Sequence, residues 1–278
     1  MRKLFLAMLA IALFTETNAQ QLTTPQPSPT QTVKQNFGLS YIELSYSRPG
    51  IKGRKVFGDL VPYGKVWRTG ANGATTLSFA DDVMIGGTKV PAGKYGLLTI
   101  PGEKEWTVII TKQTDVTSPD AYKQDQDVVR LNVAPMMLPF PIETFTISFD
   151  DMKSSSCNLS LMWDKTYLAF PITADVDSKV MSAIDNIMNK DNKPYYNAAQ
   201  YYYDNGKDLN QALTWVNKAV EAAPNTMPWV HTLKTRILAK LGKKTEAIAA
   251  ANNAIRVATE TKNPDFVKQN EDILKTLK

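Results

Sequence analysis

Two periodicities divide the chain. From Ile42 onward apolar and polar residues alternate singly: Ile42, Leu44 and Tyr46 interleave with Glu43, Ser45 and Ser47, as in a strand with one buried face. Further strand-like runs follow at Ala74 to Phe79, Asp82 to Ile85, Tyr95 to Ile100, Val128 to Val133, Phe145 to Phe149, Cys157 to Trp163 and Tyr167 to Ile172. Trp106-Thr107-Val108-Ile109-Ile110 is almost wholly β-branched or aromatic, which suits a central strand. Turn signals such as Gly86-Gly87 and Pro91-Ala92-Gly93 separate these runs. Eight or nine short strands over residues 37–173 predict an all-β sandwich, jelly-roll-like, or an open barrel. The polar segment Gln113 to Asp127 is too long for a hairpin and reads as a surface excursion.

Beyond Ala174 the period lengthens to that of a helix. Ala212 and Ala219 return as Ala247 and Ala254, an offset of 35 residues, and the preceding helix repeats at 36. That is near the period of tetratricopeptide helix pairs, so residues 174–278 are predicted to form an all-α helical-repeat domain. The alternative is a generic antiparallel bundle. Asn205-Gly206 and Leu241-Gly242 mark the turns within pairs, and Asn263-Pro264 opens a capping helix over Asp265 to Leu277.

The opening residues read differently again. Arg2 and Lys3, an apolar run from Leu4 to Phe14 and Thr17-Asn18-Ala19 make up an export-signal pattern, placing a signal peptide at 1–19 with cleavage after Ala19. Its apolar run is too short to span a bilayer about 30 Å thick, and no other run approaches that length. Residues 20–36, rich in Gln, Thr and Pro, read as a flexible linker.

Composition then narrows the chemistry. The net charge is +5 and gives no nucleic-acid signature. A single cysteine, Cys157, excludes an internal disulfide; its alternation with Leu159, Leu161 and Trp163 places it in a core. The only histidine is His231, expected on an exposed or groove-facing helical position, so the chain has little to offer a His/Cys metal site or a Ser–His–Asp triad. Gly-x-Ser-x-Gly is absent, and Gly58 to Lys65 misses the phosphate-loop spacing. Asp81-Asp82 and Asp150-Asp151 are the closest approach to a carboxylate cation site and read better as turns. No metal, cofactor or catalytic residue is assigned.

What stands out is the glycine-rich stretch from Tyr46 to Phe79. It carries Arg48, Lys52, Arg54, Lys55, Lys65 and Arg68 against one acid, Asp59, in a domain that is otherwise acidic. Segregated charge of this kind attracts anions. The candidate ligand-binding residues are Arg48, Arg54, Tyr63, Lys65, Trp67, Arg68 and Asn72. Strand parity turns Arg48 inward, where it serves either as a hydrogen-bonding brace or as a ligand contact. Tyr63 and Trp67 are either core plugs or a stacking platform. Our expectation is Arg48 as brace and Arg68 with Trp67 at a cleft. On the helical repeats, Tyr196, Gln200, Tyr203, Trp229 and Arg236 would line a concave face suited to a protein partner.

The first domain resembles an exported bacterial family known as domain of unknown function 2911. The resemblance is carried by Ser47-Arg48-Pro49, Gly53-Arg54, Phe57-Gly58, the run from Leu60 to Asn72, Pro91 to Tyr95, and Trp106. It covers residues 37–173 and implies an envelope location in Gram-negative bacteria, with the helical tail an addition the family often carries. The resemblance brings no assigned activity. The reading from sequence is an exported, non-enzymatic binding or scaffold protein: its β domain takes a small anionic, glycan or peptide ligand and its repeats contact a protein. The alternative is a carboxylate-dependent hydrolase acting on envelope glycans or peptides.

Overall fold

In a computed structural model, the structure describes residues 24–190, 193–223 and 225–277. The expected signal peptide and its cleavage point lie outside the described residues. Among the described residues ten strands are followed by six α-helices, and the chain divides into two compact units at Val176/Asp177.

The strands are β1 (Thr30–Phe37), β2 (Ser40–Ser47), β3 (Thr76–Phe79), β4 (Val83–Ile85), β5 (Thr88–Val90), β6 (Gly93–Ile100), β7 (Trp106–Thr111), β8 (Asp127–Val133), β9 (Met136–Asp150) and β10 (Ser156–Thr173). They form two antiparallel sheets, one in the order β1-β2-β3-β6-β7-β8 and one in the order β5-β4-β10-β9. Register turns the sequence alternation into rows: Leu44 pairs with Leu77 and Leu77 with Tyr95, while Leu97 pairs with Ile110 and Ile110 with Val129. These rows pack against Ile147, Leu159, Leu161 and Phe170 of the other sheet in one core, with Cys157 buried among them.

The large sheet is apolar on its other face too. Leu98 and Ile109 point away from the main core yet are fully buried, because Val116, Val66 and Tyr122 cover them in a second small cluster. That double burial is why β6 and β7 read as continuous apolar runs. Val116 and Tyr122 belong to the excursion 113–126, which contains two short 3-10 turns, Pro119–Ala121 and Gln124–Gln126.

At the end of β2 the chain turns a corner. Residues 48–52 leave the large sheet and run along β9: Phe145 N–H donates to Pro49 O at 2.9 Å and Ile51 N–H to Glu143 O at 2.9 Å. Tyr46 fixes the corner, its hydroxyl accepting from Ile147 N–H at 2.9 Å.

One expectation is corrected. Residues 30–36 were expected within a flexible linker; they form β1, paired along its length from Thr30↔Ser47 to Phe37↔Ser40. The strand is held by its backbone ladder and by polar side-chain pairs such as Thr32 Oγ1 to Ser45 Oγ at 3.1 Å. Two of its partly buried positions are glutamines, Gln31 and Gln35, so it lacks the apolar alternation that marks the other strands.

The helices are α1 (Val176–Met188), α2 (Tyr195–Asp204), α3 (Leu209–Ala222), α4 (Pro228–Lys240), α5 (Lys244–Glu260) and α6 (Pro264–Thr276). The repeated small residues Ala212, Ala219, Ala247 and Ala254 are all buried, where small side chains let helices approach closely. Gly206 (φ 63°) and Gly242 (φ 72°) follow α2 and α4 in the left-handed conformation that ends helices. Asp208 caps α3, its carboxylate accepting from Asn210 N–H at 2.8 Å. Of the two positions expected for His231 the exposed one is corrected: it is 3% exposed on α4, lining a cavity with Lys234 and Asn253, its Nδ1 3.1 Å from Asn253 Nδ2. Among the described residues no helix is long and apolar enough to cross a membrane.

Candidate functional site

Past the end of β3's pairing, residues 62–70 lie as a strap beside β6. Trp67 N–H donates to Thr99 O at 2.7 Å, Thr99 N–H returns to Trp67 O at 3.0 Å, and Gly64 N–H reaches Pro101 O at 2.8 Å. The Trp67 indole donates to Gly70 O at 3.0 Å, and its ring stacks on Trp163 with centroids 5.8 Å apart and an 18° tilt. Phe57, Trp106 and Phe145 close around it, at 6.1, 6.4 and 5.1 Å. Trp67 is thus half core plug, half surface.

Next to it, Thr69 adopts φ 55°, a left-handed conformation uncommon for a β-branched residue. The surroundings hold it there. Its hydroxyl lies 3.1 Å from Thr99 Oγ1, and its carbonyl accepts from Thr75 Oγ1 at 2.7 Å. Gly70 follows because a Cβ would come within 3.0 Å of both Ser47 O and Thr75 Oγ1.

Between the strap, the corner and the excursion lies a cleft of about 610 Å³, within the size range of small-ligand sites. Its cations are Arg54, Lys65 and Arg68; Asp120 is the single carboxylate among the described residues lining it. Apolar walls come from Pro49, Val61, Pro62, Val66 and Val116, and Trp67 and Trp163 also face it. None of the three cations is in an ion pair with a described residue. Arg54 is seated on the corner, donating through Nε to Ile51 O at 3.0 Å and through Nη2 to Gly50 O at 2.7 Å. Arg68 spans the cleft, its Nη1 donating to Thr117 O on the excursion, while its buried Nε has no acceptor among the described residues.

Four of the seven ligand candidates therefore meet at the cleft: Arg54, Lys65, Trp67 and Arg68. Arg48 does not line it; it braces the corner, donating from Nε to Phe145 O at 3.1 Å and from Nη2 to Thr146 Oγ1 at 2.8 Å. Tyr63 stays outside, its ring lying over Gly58, where a Cβ would meet it at 2.8 Å. Asn72, also at positive φ (55°), donates to Ser28 O at 2.9 Å instead of lining the cleft. The wall from Val116 to Asp120 escaped the sequence reading, although one buried valine within a polar excursion was a signal.

The excursion is anchored at its far end by Tyr122, whose hydroxyl donates to Asp127 and accepts from Arg130. Burial first, and the Asp127 bond second, push the Tyr122 phenol up to about 12. Of the acidic pairs expected in turns, Asp81-Asp82 lies just before β4, where Asp82 binds Lys89 at 2.8 Å and accepts from Ala92 N–H, while Asp150 ends β9 and accepts from Ser148 at 3.2 Å, with Asp151 in the bend that follows. Among the described residues no cluster of three or more His, Cys, Asp or Glu could hold a metal ion.

In the helical unit, Tyr196 donates to Gln200 at 3.3 Å and Gln200 to Asp204 at 2.8 Å. Arg236 donates to Gln269 of α6 at 2.8 Å, and Lys240 lies 4.9 Å above the Tyr203 ring. Trp229 is 38% exposed beside Phe266. The five partner candidates are all accessible in whole or part.

A family model described as Protein of unknown function (DUF2911) matches residues 28–172. The chain belongs to this family. The match begins at Ser28, on the cleft rim, and ends at Ile172 in β10, so β1 falls within the family's domain. Neither the curated proteins nor the solved structures gave a match to this chain.

Proposed function

We propose that this is an exported, non-enzymatic binding protein of the bacterial envelope, whose β domain takes an anionic ligand in the cleft between strap and excursion. The observation that carries the reading is the meeting of Arg54, Lys65 and Arg68, none ion-paired with a described residue, on one apolar-walled cavity whose described lining includes a single acid, Asp120. Cations left without a carboxylate are costly to hold together unless something anionic visits them. Export rests on the charged, apolar and small-residue order of residues 1–19. We take the two-sheet unit as a jelly-roll-like sandwich and the helices as a tetratricopeptide-like module with a capping α6, contacting a protein partner through Tyr196, Gln200, Tyr203, Trp229 and Arg236. Two carboxylates flanking a bond would be needed for the hydrolase alternative, and the cleft wall offers Asp120 alone among described residues.

The test is calorimetric titration of the purified chain with acidic and neutral oligosaccharides and peptides of matched length, with and without Lys65→Ala. Binding confined to acidic members, weakened by the substitution and by salt, is the expected result. Equal binding of neutral members, or release of cleaved product, overturns the reading.

A further inference from the structure

Arg68 is the odd member of the cleft trio. Its backbone sits on a constrained turn, between Trp67, which is laddered to Thr99, and Thr69, which is held at φ 55° by three polar contacts. Its guanidinium is the reverse: one donor is spent on Thr117 O, and Nε is enclosed without an acceptor among the described residues. An unmade bond from a buried charged donor is expensive. A side chain anchored rigidly and satisfied poorly is arranged to gain a partner.

The charge in the cleft indicates what kind of partner. Three cations against Asp120 leave two positive charges uncompensated, which a small dianion neutralises. The apolar walls suit a hydrocarbon body between the anionic groups, and a planar carboxylate accepts two parallel bonds from one guanidinium.

Resting on the cleft-binding reading above, we propose that Arg68 reads a carboxylate of a small organic dianion, exchanging the Thr117 carbonyl for the ligand and so freeing the excursion wall at residues 114–121. The exchange gives Nε an acceptor. It also removes the one side-chain hydrogen bond among the described residues between strap and wall, leaving the wall on Val116, which packs with Val66, on the Gln113 Nε2 bond to Ala121 O at 2.9 Å, and on the 3-10 bonds Ala121 N–H to Ser118 O and Tyr122 N–H to Pro119 O, both 3.2 Å.

The probes are glutarate and adipate, with butyrate and glutaramide as the singly charged and neutral controls. Affinity is measured by calorimetry, and amide exchange over 114–121 by mass spectrometry. The dicarboxylates should bind most tightly and speed exchange across the wall. Arg68→Lys, which keeps the charge but not the fork, should weaken them by about 10- to 100-fold, the span of a charge-assisted bond. Arg68→Ala should show fast wall exchange without ligand and no further change on adding it. If Arg68→Ala fails to fold, Arg68→Lys carries the test. Dicarboxylate binding that is unaltered in Arg68→Lys, with wall exchange unmoved, overturns this inference while leaving the cleft reading standing. Acidic oligosaccharides or peptides that bind while all dicarboxylates fail overturn it too, and failure of every anion overturns both.

Discussion

Tyr46→Phe tests the corner on which one wall of the cleft is built. The ring is 2% exposed and meets Phe145 edge-on at 5.9 Å, and phenylalanine keeps both the volume and that contact. Only the hydroxyl goes. It accepts from Ile147 N–H at 2.9 Å and lies 3.1 Å from Gln31 Oε1. Gln31 is half-exposed and recovers water, so it adds little. Ile147 N–H is buried in β9 and is left without this acceptor, which costs about 1–3 kcal/mol. We expect a loss near 2 kcal/mol, a fall in Tm of roughly 4–8 °C for a chain of this size. Urea unfolding followed by tryptophan fluorescence reads it, since Trp67, Trp106 and Trp163 report on this unit. Amide exchange at Ile147 should quicken in parallel. A loss below about 0.5 kcal/mol, the range of ordinary surface changes, with the Ile147 amide still protected, would show that the hydroxyl does not hold the corner.

Three further outcomes follow from local geometry. Gly96→Ala sets a Cβ 2.1 Å from Gln113 O, so the excursion must lift, and urea unfolding should show a loss of about 3 kcal/mol or more. Gly73→Ala is the control: nothing lies within 4 Å of its added Cβ, and the same measurement should find it neutral or slightly stabilised, by about 0.5 kcal/mol. Burial pushes the Cys157 thiol from 9.0 up to about 11, so at pH 8 only about one molecule in a thousand carries the thiolate. Ellman's reagent should label it slowly when native and at once in denaturant. Because the folded value is the raised one, this stabilising preference for the neutral thiol is complete below pH 9 and fades as pH climbs toward 11.

The elements visible in the sequence are those whose burial leaves a periodic trace. Leu44 and Leu77 face one core and alternate with polar neighbours, so β2 and β3 can be read directly, while β6 and β7 show as apolar runs because both of their faces are buried. The buried alanines at 212, 219, 247 and 254 do the same for the helices. β1 leaves no such trace, because backbone bonds and threonine–serine pairs hold it at a sheet edge. The cleft is half legible. The strap's cations are a local cluster, and Arg54, Lys65 and Arg68 duly converge. Its opposite wall lies some fifty residues away, brought there by the seating of Val116 over Leu98 and Ile109, a long-range contact that no local pattern encodes. Arg48, from the same cluster, goes to Phe145 O because the chain turns its corner there.

Thr69 offers a test of the constraint placed on Arg68. At an ordinary buried position alanine is more stable than glycine, by about 0.5–1 kcal/mol of backbone entropy and about 0.8 kcal/mol for the buried methyl. Thr69 is wholly buried, so both terms apply to it. At φ 55° a Cβ costs about 1–2 kcal/mol, which offsets them. Thr69→Ala and Thr69→Gly both delete the hydroxyl that lies 3.1 Å from Thr99 Oγ1, so that loss cancels between them. The two variants should therefore lie within about 0.5 kcal/mol of each other, both falling below the parent chain in urea unfolding. If alanine keeps its full advantage of about 1.5 kcal/mol, Thr69 is not held in a strained conformation, and the rigid seat assigned to Arg68 loses its physical basis.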